Sequence, residues 1–226
     1  MKPIIAITPQ YDSRNNLITI KNAYSDAIFK SGGIPIALQL IRDSEYIKYV
    51  CNFADGILFT GGKDIDPKYY GEEIDEKCGE IDNIRDEFEI SLYCKAAKQD
   101  MPILGICRGT QLINICEGGK CHQHIAGHDN TTHSVKINRD SLLYKIIGKD
   151  ELSVNSFHHQ ASSTISSNMQ ICAAAGDNTV EAVFKKNGLF NLSVQWHPER
   201  FDSNESKTIF DYFARLIKEY HAKRNL

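Results

Sequence analysis

The sequence lacks features that several classes of protein require. No apolar run approaches the ~18 residues of a membrane span, and the short apolar start has no signal-type cleavage site after it. The net charge of the 226 residues is −3, so there is no basic excess to attract a phosphate backbone. The sequence therefore predicts a soluble protein that binds neither membranes nor nucleic acid.

The cysteines lack the paired spacing of a disulfide framework. There are seven, an odd number, whereas secreted disulfide-rich domains are usually shorter and have an even count. A reducing, cytoplasmic environment is therefore expected, in which most of these thiols are small buried apolar groups.

Zinc-finger spacing is also missing, although one stretch is rich in cysteine and histidine. No Cys-x-x-Cys occurs, and His158-His159 lie in one loop, which cannot supply a closed set of metal ligands. We therefore expect no metal site and no cofactor. The stretch in question contains Cys121, His122, His124, His128 and His133.

What the first half does contain is an alternation of apolar runs and helical patterns. This alternation predicts an α/β fold with a mainly parallel sheet and helices on both faces. The length fits one domain over residues 1–226. The predicted strands are 4–8, 34–40, 56–60 and 102–106, and the predicted helices are 22–31, 44–53, 85–98 and 109–116.

The second half adds short strands and a final helix. Asn187-Gly188 between two of the strands is a hairpin signal. Asp202, with Glu205 three residues later, resembles a capping box at the start of a helix over residues 204–220. The predicted strands are 133–137, 152–156, 170–175, 180–184 and 192–195.

The sharpest chemical signal is Gly105-x-Cys107-x-Gly109, between a buried strand and a helix. This is the thiol form of a nucleophile elbow, in which the flanking glycines leave room for a tight turn. The start of a helix favours a thiolate, and the N–H of Arg108 points where an oxyanion would form. The alternative is a buried cysteine at the end of a strand.

A second signal is His197-Pro198-Glu199, directly after a predicted strand. A thiol nucleophile needs an imidazole, and the imidazole needs an acceptor that fixes its tautomer. Because proline separates the two residues, the segment is a shaped loop and not a regular helix turn. The alternative is a structural histidine at a turn.

Two loops offer weaker signals. Gly61-Gly62 follows a buried strand, and a double glycine lets backbone N–H groups face a ligand, although a plain tight turn is the commoner explanation. The phosphate-loop pattern is missing here. The polar loop at 154–160 lies just past another strand, where it can either line a pocket or stay exposed.

Together these segments resemble the class I glutamine amidotransferase-like superfamily, and within it the γ-glutamyl-γ-aminobutyrate hydrolase group, peptidase family C26. The matching pieces run in the same order from near residue 5 to near residue 200. They are 7–9, 59–67 with 70–72, Arg85-Asp86-x-x-Glu89, the elbow around Cys107, 154–160, 180–182 and 195–199.

The resemblance implies one flavodoxin-like hydrolase domain that cleaves a γ-glutamyl amide bond and acts in polyamine (putrescine) catabolism. It implies a triad of Cys107, His197 and Glu199, and an oxyanion hole built from the backbone of Gly62 and Arg108. The residues that would lie beside the small γ-glutamyl substrate are Gln111, Ser156, Phe157 and His158, with Arg85 added from a stretch typical of the hydrolase group.

The sequence leaves the exact role open between a free-standing γ-glutamyl hydrolase and a glutaminase subunit that passes ammonia to a synthase. Residues 61–67 favour the hydrolase, because the loop of synthase-linked glutaminases usually continues from Gly-Gly into Pro. A non-enzymatic binding protein is disfavoured because all three triad residues are present. The leaving amine stays open, and a homodimer is only the default expectation for a soluble enzyme.

Overall fold

The computed structural model describes residues 2–187 and 191–224. Six α-helices and two short 3₁₀ helices lie within these residues. The α-helices are α1 (Asn22–Lys30), α2 (Ser44–Phe53), α3 (Asn83–Lys98), α4 (Arg108–Cys116), α5 (Leu142–Ile147) and α6 (Asn204–Arg224), and the 3₁₀ helices are Pro67–Tyr70 and Pro198–Arg200. None of the helices in this part of the chain has the length and apolar character that a membrane span requires.

Nine of the thirteen described strands form one central sheet. The strands are β1 (Ile4–Ile7), β2 (Gln10–Asp12), β3 (Leu17–Thr19), β4 (Ile34–Ala37), β5 (Gly56–Phe59), β6 (Ile103–Ile106), β7 (Lys120–His122), β8 (Thr131–Ile137), β9 (Glu151–Ser156), β10 (Ala161–Thr164), β11 (Met169–Ala175), β12 (Val180–Lys185) and β13 (Asn191–Val194). The order of the central sheet is β4-β1-β5-β6-β13-β12-β11-β8-β9, and two two-stranded sheets, β7 with β10 and β2 with β3, lie apart from it.

The sheet changes direction at β13. The strands from β4 to β13 pair in parallel, and those from β13 to β9 pair antiparallel. In the parallel half, α1, α2 and α3 connect β1 to β4, β4 to β5 and β5 to β6. In the antiparallel half, a short turn joins β11 to β12, whereas α5 lies between β8 and β9. The predicted α/β architecture, with a parallel core and extra short strands in the C-terminal half, is confirmed.

Each face of the sheet has its own hydrophobic core. One core includes Ile28 of α1 and Phe213 of α6, and the other includes Leu92 of α3 and Leu112 of α4. Because both faces are covered, β5 and β6 are buried along their whole length. This explains why both strands appear in the sequence as continuous apolar runs.

The predicted element bounds agree with the structure where the local signals are strong. Helix α2 has the predicted bounds, since Asp43 caps it by accepting the N–H groups of Glu45 and Tyr46. Strand β4 is shorter than predicted and ends at Ala37, because its parallel partner β1 ends at the paired residue, Ile7. The short elements β2, β3, β7, β10 and α5 were not predicted.

Two local signals predicted in the second half concern the start of α6 and the connection between β12 and β13. The predicted capping box at Asp202 is wrong, because Ser203 is the N-cap of α6: its Oγ accepts the N–H of Ser206 at 3.1 Å, and its carbonyl accepts the N–H of Lys207. Strands β12 and β13 pair antiparallel, as a hairpin requires. The predicted turn at Asn187-Gly188 lies partly outside the described residues.

Candidate active site

Three of the four segments singled out in the sequence meet at the carboxyl-terminal ends of neighbouring strands. Strands β5, β6 and β13 are parallel neighbours, with Phe59 paired to Gly105 and Ile106 paired to Val194. Their carboxyl ends therefore lie side by side, where ligands bind in open α/β sheets. Cys107 follows β6 directly, His197 follows β13, and the Gly61-Gly62 loop follows β5.

Cys107 occupies a strained turn. Its backbone has φ 54° and ψ −108°, an unusual conformation for a residue other than glycine, and its N–H donates to the carbonyl of Val194 at 2.8 Å. The glycines on either side are required by close contacts. A Cβ on Gly109 would lie 2.3 Å from the Phe59 carbonyl oxygen, and one on Gly105 would lie 2.7 Å from a methyl group of Ile113. The elbow geometry therefore depends on both glycines.

His197 is held by its backbone and by its ring. Asn155 accepts the N–H of His197 at 2.8 Å, and its own amide donates to the His197 carbonyl at 2.9 Å. The ring Nδ1 lies 2.7 Å from Oε1 of Glu199, and the imidazole lies close enough to the Cys107 side chain for the two to interact electrostatically. Pro198 starts a 3₁₀ turn, and Glu199 within this turn bonds back to the ring.

The surroundings of His197 favour its charged form. Burial by itself lowers the pKa of His197, but the negative charge of Cys107 and the contact with Glu199 raise it to about 10. The imidazolium is thus stabilised between two acidic groups, as a cysteine nucleophile that works as a thiolate requires.

The Gly61-Gly62 loop packs directly against these residues. The N–H of Gly61 donates to the Tyr24 hydroxyl at 3.0 Å, and a Cβ on Gly61 would lie 2.9 Å from Cε1 of His197. Gly62 is exposed, but a Cβ there would lie 2.0 Å from Nη1 of Arg85. The buried Tyr24 therefore fixes the loop beside the nucleophile.

A buried ion network lies beneath this loop. Arg85 and Arg108 both bind the carboxylate of Glu89, and Arg108 also binds Asp86. Burial alone would raise the pKa of Glu89, but the two guanidinium groups hold it below its ordinary value. All four side chains are at most 1% exposed. The network joins the residue after the nucleophile to the helix beneath the Gly61-Gly62 loop.

Arg85 contacts the backbone of the Gly61-Gly62 loop and of Thr60 before it. Its Nη1 donates to the Gly61 carbonyl at 3.0 Å, and its Nη2 donates to the Thr60 carbonyl at 2.8 Å. Nε bonds Glu89 at 2.9 Å, so every nitrogen of the guanidinium is bound by protein. These contacts are those of a residue that positions the loop, whereas the sequence suggested a contact with substrate.

The other predicted substrate-binding residues differ in what they contact. Gln111 is buried and donates to the Gln160 carbonyl at 3.1 Å. Phe157 is half-buried, with its ring centroid 6.0 Å from that of His197. Ser156 is fully buried and donates to the His128 carbonyl, and His158 is buried near Glu181. Of these, Phe157 lies directly beside the candidate triad.

Comparison with known proteins identifies the family of this chain. The sequence profile of the family described as Peptidase C26 matches residues 3–199. The chain belongs to the peptidase C26 family. Its resemblance to the class I glutamine amidotransferase-like group is thereby confirmed. Membership of the peptidase C26 family supports a hydrolase activity for this chain.

Two relatives show how similar this chain is to individual proteins. The glutamine amidotransferase-like protein YvdE of Lactococcus lactis is 34% identical over 202 residues, which cover 83% of this chain and 84% of the relative. The γ-glutamyl-γ-aminobutyrate hydrolase PuuD of Escherichia coli K12 is 28% identical over 229 residues, which cover 91% of this chain and 89% of the relative.

Solved structures share the fold at lower identity. A GMP synthase component from Thermoplasma acidophilum has a TM-score of 0.73 at 16% identity and covers 100% of this chain and 99% of its own. The glutaminase domain of Trypanosoma brucei CTP synthase, solved with bound acivicin, has a TM-score of 0.72 at 16% identity and covers 96% and 94%. At this identity the comparison concerns the fold alone.

Proposed function

We propose that this C26 protein is a free-standing cysteine hydrolase that cleaves the γ-glutamyl amide bond of a small compound such as γ-glutamyl-γ-aminobutyrate. The observation that carries the proposal is the linked set of Cys107, His197 and Glu199 at the carboxyl edge of the sheet, with Cys107 in a strained elbow. The similarity to PuuD supports the choice of substrate class.

In the first half of the reaction, the Cys107 thiolate attacks the γ-carbonyl carbon and forms a C–S bond. The tetrahedral intermediate collapses as the C–N bond breaks, and the leaving amine takes its proton from the His197 imidazolium. Glu199 holds Nδ1 of the ring and keeps the other ring nitrogen directed at the reacting atoms. The product of this half is a glutamyl thioester.

In the second half, His197 is neutral and acts as a base. It takes a proton from a water molecule, the water oxygen attacks the thioester carbonyl, and the C–S bond breaks. Glutamate leaves, and the thiolate–imidazolium pair is restored. The thioester divides a slow amide hydrolysis into two easier steps.

The oxyanion of each intermediate would be bound by the backbone N–H groups of Gly62 and Arg108. Arg108 is the first residue of α4, whose leading N–H groups have no acceptor within the helix. Arg85 and Glu89 hold the two segments at a fixed separation. One such donor is typically worth ~3 kcal/mol of transition-state stabilisation.

The glutamyl part would contact Gln111 and Phe157 in this proposal. Ser156 and His158 would act through the shape of the loop that carries Phe157, since both side chains are buried against protein groups. Arg85 would act through the Thr60–Gly61 carbonyls that it holds.

The second candidate is a glutaminase subunit that delivers ammonia to a synthase partner. It is favoured by the names of relatives such as the amidotransferase-like YvdE. Both candidates need the same nucleophile, so the substrate decides between them.

The test is glutamate release from γ-glutamyl-γ-aminobutyrate and, separately, from glutamine, with wild type, Cys107→Ala and the exposed-cysteine control Cys94→Ala. The proposal expects release mainly from the former substrate, lost in Cys107→Ala and kept in Cys94→Ala. Release from glutamine alone would favour the glutaminase subunit, and release that survives Cys107→Ala would contradict both.

A further inference from the structure

Three histidines surround one buried carboxylate, apart from the proposed triad. His128 Nδ1, His133 Nε2 and His158 Nε2 lie 3.3, 3.2 and 3.5 Å from Oε1 of Glu181. The Glu181 side chain is fully buried, and only His133 is partly exposed, at 19%. We call these four residues the Glu181 cluster.

The fold brings the cluster together from four separate segments. Glu181 lies in β12, and His133 lies in β8, two strands away in the sheet. Strand β11, between them, pairs with β8 only at residues 135–137, so His133 lies beyond its end and can reach Glu181. His128 and His158 come from two loops, joined by a bond from the His158 N–H to the His128 carbonyl at 3.2 Å.

Hydrogen bonds within the cluster do not satisfy its atoms. Nε2 of His128 lies 2.9 Å from a carboxylate oxygen of Asp177, which can only accept, so this nitrogen carries the proton. The lone pair of Nδ1 in a neutral ring then faces Glu181, another acceptor. Within the described residues, Nδ1 of His128 has no hydrogen-bond partner.

The same conflict recurs at His158. Its Nδ1 lies 2.9 Å from the Gln160 carbonyl oxygen, so Nε2 of the neutral ring directs its lone pair toward Glu181. Nε2 of His158 and Oε2 of Glu181 also have no hydrogen-bond partner in the described part of the chain. Buried acceptors that face one another need either a proton or a metal ion between them.

The ligand atoms of three of these residues lie close enough together to share a metal ion. Bonds of about 2.0–2.1 Å from zinc to nitrogen or oxygen place tetrahedral ligands about 3.3–3.4 Å apart. Nε2 of His133 and Nδ1 of His128 lie 3.2 and 3.3 Å from Oε1 of Glu181, and the ligand atoms of the three residues all lie within 4.8 Å of one another. Ligating histidines usually donate their other N–H to a carboxylate or carbonyl. Asp177 takes this position beside His128.

We propose that the Glu181 cluster binds a divalent ion of the zinc class through His128 Nδ1, His133 Nε2 and the carboxylate of Glu181. Imidazole and carboxylate ligands suit zinc, and three protein ligands leave the fourth position of a tetrahedral site open. The ion joins β8 and β12 to the loop that carries His128, whose carbonyl accepts the N–H of His158.

The proposed site departs from the expectation of no metal site. Of the Cys/His-rich stretch, only His128 and His133 take part in it. Cys121 lies in β7, paired with Ser162 of β10, and His124 contacts His159 at 3.3 Å. The sequence spacing did not reveal the site, since the third ligand, Glu181, lies far along the chain from His128 and His133.

The test uses the full chain stripped with a chelator and then loaded with Zn²⁺. Bound zinc is measured by mass spectrometry, and affinity by competition with a chromophoric chelator. We expect about one ion per chain for wild type and none above background for His133→Ala. In Asp177→Asn, an exposed position that leaves the core intact, affinity should fall ~10–100-fold. Circular dichroism checks that each variant is folded.

Two control variants separate this site from other zinc ligands. His124→Ala, a neighbouring imidazole outside the cluster, and Cys107→Ala should bind zinc as wild type does. With Co²⁺ as the probe, the visible bands of a tetrahedral site should appear without a thiolate charge-transfer band. Zinc uptake equal in wild type and folded His133→Ala, or uptake lost in Cys107→Ala, would overturn the proposal.

Discussion

His197 is positioned by three different neighbours. Asn155 fixes the backbone of His197, and Glu199 fixes its ring. The negative charge of Cys107 raises its pKa. The His-Pro-Glu pattern predicted the second contact from the sequence, because the ring and its acceptor are close along the chain. Asn155 is far from His197 in sequence, and its hydrogen bonds appear only once β9 and β13 are placed in the fold.

At the residue scale we expect the pKa of His197 to depend on Cys107. It is raised from 6.5 to about 10 in the wild type, and Cys107→Ala removes the negative charge while burial, which lowers the pKa, remains. NMR titration of the ring should therefore show a lower pKa in Cys107→Ala. Equal pKa values in the two proteins would show that the thiol and the imidazole are not paired.

The raised pKa of His197 also predicts how the free energy of unfolding changes with pH. A histidine whose pKa is higher in the folded protein stabilises it fully below the unfolded pKa of 6.5, and this contribution is lost as the pH rises through about 10. The free energy of unfolding should therefore fall more steeply over this window in wild type than in Cys107→Ala.

At the scale of elements, the elbow and the Gly61-Gly62 loop are joined through α3. Arg85 and Glu89 lie one helix turn apart on α3, and Glu89 also binds Arg108 at the start of α4. The sequence supplied the helix and the Arg-Asp-x-x-Glu pattern but not the role, because the partners of these side chains lie in other loops. Periodicity identifies which residues are helical, whereas it carries no information on which loops meet.

We expect Glu89→Gln to destabilise the fold by about 3–5 kcal/mol, because it leaves two guanidinium groups in the interior with too little negative charge. Urea unfolding measures the change. The matched control is Glu87→Gln on the same helix, whose ion pair with Arg42 is exposed and should be worth about 0–1 kcal/mol. Equal losses in the two variants would contradict the structural role of the network.

At the scale of the whole molecule, the parallel order of β5, β6 and β13 places the candidate site. The sequence predicted these strands and the residues that follow them, but their adjacency is a property of the sheet. The resemblance to the C26 family indicated that Cys107, His197 and Glu199 form one site, which the local sequence patterns leave open. It assigned no role to Glu181, although residues 180–182 are among the matching pieces, and the three proposed metal ligands come from separate segments.

The central claim is that Cys107 forms a covalent glutamyl intermediate, and trapping that intermediate tests it most directly. Wild type is mixed with γ-glutamyl-γ-aminobutyrate, quenched in acid within the first turnovers, digested and analysed by mass spectrometry, beside Cys107→Ala and Cys94→Ala. We expect a glutamyl adduct on the peptide that contains Cys107 in wild type and Cys94→Ala, and none in Cys107→Ala. An adduct on another residue, or glutamate release by Cys107→Ala at the wild-type rate, would contradict the account.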